Sequence, residues 1–129
     1  MENGLKMGFH RYFSRSSLSG GAVKFLSYRK NRQNFILPVK DVRYFKAAGI
    51  YVEAHLKDGT LEILEKKMDN LEMVLPKGFF RCHRSFMVDI STIESYCHCG
   101  GGNYQMTLKS GDLIPVSRLK YKNLHNLLN

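Results

Sequence analysis

The residues best equipped for chemistry fall in two short runs and two basic pairs. Residues 81–85 read Arg-Cys-His-Arg-Ser. A thiol beside an imidazole raises nucleophilic catalysis, yet neighbours on an extended strand point to opposite faces. Cys82 and His83 are therefore poorly placed to share a proton. The plainer reading is a strand whose buried and exposed residues alternate. Residues 97–99 read Cys-His-Cys and run into Gly100-Gly101-Gly102. Structural zinc uses paired cysteines roughly two to four residues apart from two knuckles, and a C-x-C with no second cluster does not supply that. Two small residues entering a loop is the alternative. The glycine run lacks the frame of a phosphate loop and does not open a helix. No paired carboxylates, G-x-S-x-G or H-E-x-x-H are present. The expectation is a protein that is not an enzyme and needs neither metal nor cofactor. What remains is Arg84-Ser85 and Ser117-Arg118. A guanidinium bonds guanine bidentately or grips a phosphate, and serine adds a short phosphate contact. A surface ion pair is the bland alternative for each arginine.

The pattern around these residues predicts many short strands. Val23–Tyr28 and Phe35–Val39 read as strands flanking the polar turn Asn31-Arg32-Gln33-Asn34, with Pro38 suggesting an edge. Val42–Ala47 and Ile50–Leu56 follow, separated by Ala48-Gly49. In the latter, Ile50, Val52, Ala54 and Leu56 alternate with Tyr51, Glu53 and His55, a period of two. Lys57-Asp58-Gly59-Thr60 is the strongest hairpin signal and predicts a type I′ turn into Leu61–Leu64. Met68, Leu71, Glu72 and Leu75 recur at helical spacing until Pro76 and Gly78. Phe86–Ile90, Ile93–Tyr96, Tyr104–Leu108 and Leu113–Val116 complete the strands. Ser117 reads as the N-cap of a closing helix whose apolar side is Leu119, Leu124, Leu127 and Leu128. The fold class is mainly β with two short helices.

The totals fit one domain. The chain has 129 residues and a 43% hydrophobic fraction. No apolar run approaches the roughly 18 residues that cross a bilayer, and the N-terminus lacks a secretory apolar stretch. A cytoplasmic protein with its three cysteines reduced is expected. Residues 1–22 are rich in Gly, Ser and Arg and read as an arm or linker, with Phe9, Tyr12 and Phe13 able to dock a short piece on the body; residues 23–129 form the domain. The net charge is +9, divided as +7 over residues 1–43, −1 over 44–80 and +3 over 81–129. The middle reads as a balanced, solvated face, and the ends carry the excess that would attract a polyanion.

Four segments resemble the LytTR DNA-binding domain found at the C-terminus of many bacterial response regulators. They are Val42–Val52 (VRYFKAAGIYV), Leu56–Gly59, Phe79–Asp89 (FFRCHRSFMVD) and Ile114–Arg118 (IPVSR). Their order and spacing agree with the family over about residues 24–129. The resemblance implies an elongated fold of about ten strands in small sheets. It implies sequence-specific double-stranded DNA binding for transcription regulation in two-component systems, with loops entering successive major grooves. By position it assigns DNA contacts to Gly49, Ile50 and Tyr51, to Arg84 and Ser85, to Ser117 and Arg118, and to Lys120 and Lys122 near phosphates. His83 is assigned to structure, its ring nitrogens fixing the local backbone. The partners expected are duplex DNA, as repeated sites bound by two copies, and a separate sensor or regulatory protein. Asp89 departs from the family's usual Asn, and Ile50 offers a thymine methyl contact but no hydrogen bond. Residues 1–22 are too short for a receiver domain, so both a fragment and a stand-alone regulator stay open.

Two other classes compete. Tyr28, Tyr44, Tyr51 and Tyr104 could form a stacking platform for single-stranded nucleic acid or RNA. A zinc-stabilised interaction module is the third.

Overall fold

The computed structural model describes residues 22–128. Its elements are β1 (Phe25–Lys30), β2 (Gln33–Pro38), β3 (Val42–Ala48), β4 (Tyr51–Leu56), β5 (Leu61–Leu64), α1 (Met68–Val74), β6 (Phe79–His83), β7 (Phe86–Asp89), β8 (Ile93–His98), β9 (Tyr104–Leu108), β10 (Leu113–Val116) and α2 (Arg118–Leu128). Short 3-10 turns at Val39–Asp41 and Ile90–Thr92 lead into β3 and β8. The strands form three antiparallel sheets: β1-β2, β5-β4-β3-β7-β6 and β10-β9-β8. The mainly-β expectation holds. The arm, with Phe9, Tyr12 and Phe13, lies almost wholly outside the described residues.

The five-stranded sheet is the organising layer. On one face Phe45 and Met87, cross-strand partners, pack with Val52, Ala54 and Leu64. That face is covered by Met68, Leu71 and Leu75 from α1 and by Leu26 and Leu37 from the β1-β2 hairpin. On the other face Tyr44 and Val88, also partners, pack with Cys82, Met106, Leu108, Ile114, Val116 and Leu124. Burying each large apolar side chain contributes about 1.5–3 kcal/mol, so both coverings are needed.

The alternation expected for residues 50–56 holds at Val52 and Ala54, which are buried, but not at Ile50, which is 81% exposed. Ile50 lies in the turn before β4, so it escapes the strand period. Only Leu124 of the four α2 leucines is buried; Leu119, Leu127 and Leu128 are exposed. Leu119 lies five positions before Leu124, which rotates it to another side of the helix. Tyr121 fills the gap, its ring against Tyr96 and Tyr104.

Two turn expectations are corrected. The Asp58-Gly59 hairpin forms, but Gly59 alone has positive φ, at 94°. Its N–H donates to the Leu56 carbonyl at 3.0 Å, and Leu56 N–H donates to the Thr60 carbonyl at 2.8 Å. This is a three-residue loop closing on a glycine bulge, not a type I′ turn. Leu108–Asp112 repeats it with Gly111. The doubly positive turn lies instead at Asn31 (φ 52°) and Arg32 (φ 67°), so the strands flanking it meet at a two-residue loop.

The cysteines also differ from expectation. Cys97 and Cys99 are joined as a disulfide, and Cys97 lies within β8. Cys82 is free and buried, its thiol pushed up to about 12 by burial. A thiol held neutral in this way is no nucleophile.

A positive φ at a non-glycine residue carries a steric cost. Arg32→Gly is expected to raise unfolding stability by about 0.5–1 kcal/mol. Denaturant unfolding of the two chains checks it; a loss of stability would contradict the turn assignment.

Candidate nucleic-acid interface

The three segments singled out in the sequence meet at one end of the five-stranded sheet. The loop at Gly49-Ile50 joins β3 to β4, and Arg84-Ser85 joins β6 to β7 at the same end, since Lys46 pairs with Phe86 and His83 with Phe86. Ala47 N–H donates to the Ser85 carbonyl at 2.8 Å, tying the two loops. Ser117 N–H donates to the Cys82 carbonyl at 2.9 Å, which fastens the start of α2 beside β6. Neighbouring strands lie roughly 4.8 Å apart, so the Arg84 turn sits about 10 Å along the sheet end from the first loop.

Each segment is held by its own polar contacts. Ser117 caps α2 as expected: its Oγ accepts from Lys120 N–H at 3.3 Å, and its carbonyl accepts from Tyr121 N–H at 2.8 Å. His83 Nδ1 accepts from Ser85 N–H at 3.1 Å, the backbone-fixing role expected of it. A peptide N–H can only donate, so Nδ1 must be unprotonated. Desolvation, with the charges of Arg84 and Arg81, holds the imidazole below its ordinary value and keeps it in that form.

Arg81 is the residue that the sequence reasoning missed. Its side chain is 13% exposed. Nε donates to the His83 carbonyl at 3.2 Å and Nη2 to the Arg84 carbonyl at 2.5 Å. Nη1 reaches Asp69 at 3.0 Å and Glu72 at 2.8 Å on α1. One guanidinium thus holds the Arg84 turn against a helix. The available signal was an arginine two residues before a turn, with acids at i and i+3 on the preceding helix.

The expected contact residues do not form one cluster. Arg84, Ser117 and Lys120 line a single cleft together with Glu72, Arg81 and His83. Arg118 and Lys122, four apart on α2, line another with His98, Tyr104, Leu119, Tyr121 and His125. Ile50 and Tyr51 line a third, with Glu65, Lys66, Lys67 and Asn70. Ser85 is half-buried beneath its turn and Gly49 carries a φ of 66°. Among the described residues, no carboxylate lies within ion-pair distance of Arg84, Arg118, Lys120 or Lys122. Ion pairing as the role of Arg84 and Arg118 is therefore set aside. Asp89, the departure from the family pattern, is compensated: it caps the following turn through Ser91 and pairs with Lys57 at 3.0 Å.

The four tyrosines do not share a face. Tyr44 is buried under His55, Tyr28 packs on the core beside Phe35, and Tyr104 stacks between His98 and Tyr121; Tyr51 alone is exposed, at 41%. A single-strand stacking platform is absent from the described residues. Among those residues, no group of three His, Cys, Asp or Glu side chains is arranged as metal ligands. No helix among them is long and apolar enough to cross a membrane.

The His83 contact carries a pH dependence. The folded chain binds the imidazole proton less readily than the unfolded chain. The stability this contributes is present above about pH 6.5 and is lost as pH falls through the window below it. Thermal unfolding between neutral and mildly acidic pH is expected to show that loss. His83→Asn, which offers an acceptor but does not titrate, is expected to weaken the dependence; an identical profile in both chains would refute the assignment.

The family profile described as "LytTr DNA-binding domain" matches residues 32–129. The transcriptional regulatory protein BtsR of Escherichia coli K12 is 27% identical over 106 residues, covering 80% of this chain and 42% of BtsR. The sensory transduction protein LytT of Bacillus cereus is 36% identical over 76 residues, covering 59% of this chain and 28% of LytT. The chain thus spans less than half the length of these relatives. A solved LytTr DNA-binding domain from Bacillus cereus superposes with a TM-score of 0.72 at 21% identity, covering 84% of this chain and 99% of that one. This likeness confirms the fold, ten strands in three small sheets with two helices, and the family profile covers the chain from the start of β2 through α2. The chain belongs to the LytTR DNA-binding domain family.

Proposed function

We propose that residues 23–129 read a specific double-stranded DNA site for transcription regulation, through loops inserted in successive major grooves. The observation that carries this is the gathering of three loops at one sheet end, with Arg84, Arg118, Lys120 and Lys122 without an acidic partner among the described residues. A cation with no partner in its own fold keeps its full attraction for phosphate and for guanine. Arg84 and Arg118 are assigned to base edges or phosphates, and Lys120 and Lys122 to phosphates. Ser117 and Ser85 add short contacts to the backbone, and Gly49, Ile50 and Tyr51 form the first reading loop, where Ile50 meets a thymine methyl.

The relatives named above are a transcriptional regulator and a signal-transduction protein, which supports a regulatory role and a non-enzymatic one. On this reading the protein works in the cytoplasm. Two copies occupy a repeated site, and a separate sensor or an attached receiver controls them. On the same reading, residues 1–22 are an arm or linker.

Selection from random duplex DNA, with sequencing of the bound pool, is expected to return one preferred motif. Affinity for it should weaken with salt at a log–log slope of roughly −5, given about six phosphate contacts. Arg84→Ala and Arg118→Ala are each expected to cost about 1–3 kcal/mol of binding if bidentate to guanine, with melting temperature kept. Lys120→Ala is expected to weaken all sequences alike and to reduce the slope by about one unit. A pool without a motif, or unchanged affinity in both arginine variants, would overturn the reading.

A further inference from the structure

The middle of the chain carries a net charge of −1 over residues 44–80 and looks neutral toward a polyanion. The folded chain spends that acidity internally. Of the six acids in the segment, Glu53 contacts His55, Glu62 pairs with Lys30, and Asp69 and Glu72 are both taken by Arg81. Asp58 accepts from Thr60 within its own hairpin. Glu65 is the one acid left without an ion pair or hydrogen bond among the described residues.

The lysines there are treated differently. Lys66 and Lys67 follow β5 and have no acidic partner among the described residues. The register Val52↔Leu64 sets the chain leaving β5 opposite the chain entering β4. Lys66 and Lys67 accordingly line an open cleft of about 490 Å³ with Ile50 and Tyr51, the first reading loop, and with Glu65 and Asn70. That loop supplies no cation of its own: Ile50 is apolar and 81% exposed, and Tyr51 offers a ring and a hydroxyl. A loop that enters DNA without a charge needs a neighbour to anchor it, because phosphate contacts set position and base contacts set specificity.

We propose that Lys66 and Lys67 bind DNA backbone phosphates flanking the base reached by Ile50, a fourth contact segment beyond the three loops. This rests on the duplex-binding reading above and extends its footprint past β4 to the connection between β5 and α1. Glu65 lowers the local charge but leaves it positive, two cations against one anion. Arg81 contributes from a distance: by holding Asp69 and Glu72, it pairs the other two acids that α1 would bring to the site.

The test compares two lysine pairs in the full chain. K66A/K67A removes the proposed contacts. K40A/K77A removes the same charge at the opposite end of the sheet, before β3 and before β6. Affinity for the selected duplex and for a scrambled one is measured across a salt series, with thermal unfolding in parallel. The expectation for K66A/K67A is a log–log slope shallower by about 2 units and affinity lower by about tenfold on both duplexes, leaving their ratio unchanged. K40A/K77A is expected to keep the wild-type slope. Lys66→Gln with Lys67→Gln gives the same readout should the alanine pair lower the melting temperature. An unchanged slope in K66A/K67A, or equal changes in both pairs, overturns the proposal while leaving duplex reading intact. A wild-type chain that binds no duplex would overturn both.

Discussion

The structure depends on β3 and β7 being apolar on both faces. Phe45 and Met87 point one way, Tyr44 and Val88 the other, and all four are buried. A strand pair of this kind cannot lie against water on either side, so the chain must bring a layer to each. The hairpin β1-β2 and α1 cover one face, and the sheet β8-β9-β10 with α2 covers the other. Everything at the nucleic-acid end follows, because the loops leaving β3, β6 and β10 are then held over a common rigid layer.

Polar contacts join these layers where apolar packing leaves off. Arg43 leaves β3 and bonds Asp112 in the β9-β10 turn through Nε at 2.7 Å, while its Nη1 donates to the Leu56 carbonyl. The Arg43 side-chain hydrogen bond, more than any other influence, holds the Asp112 carboxyl below the usual carboxylate range, so the pair is charged throughout the neutral region. Ser110 donates to the same carboxylate. Arg81 does the equivalent between α1 and the Arg84 turn. Both are arginines whose planar, multi-donor head can bond a carboxylate and a carbonyl together, which a lysine ammonium does less well. The basic surface is thus made of two populations: arginines consumed in bracing, and cations without an acidic partner among the described residues.

Much of this was legible from residue types. Periodicity of two marked most strands, and Asp58-Gly59 and Ser110-Gly111 marked turns because a glycine carries the positive φ that closes them. Tyr104–Leu108, Leu113–Val116 and Leu61–Leu64 were recoverable to the residue. The local code was weaker where two backbone choices fit one sequence: Asp-Gly suits a type I′ turn and a glycine bulge equally. At Asn31-Arg32 it marked a polar turn but not its conformation, since strand pairing forces a positive φ on Arg32, which does not favour it. The leucines of α2 misled for another reason. Helical spacing says which residues share a side, but not how much of that side a neighbour covers.

By itself the sequence determined the class of fold and the family, and it singled out the short basic segments as candidates, since those rest on residue identity and near-neighbour spacing. Only the tertiary structure decided which cations are engaged by acids and which have no acidic partner among the described residues. Arg81 and Arg84 are three residues apart and alike on paper, yet one is engaged by two acids and two carbonyls and the other by none among the described residues. Asp69 and Glu72 come from a helix some ten residues earlier, and Lys66 meets Ile50 only across a strand register. Long-range contacts of this kind are set by how the layers close, and no local pattern encodes them.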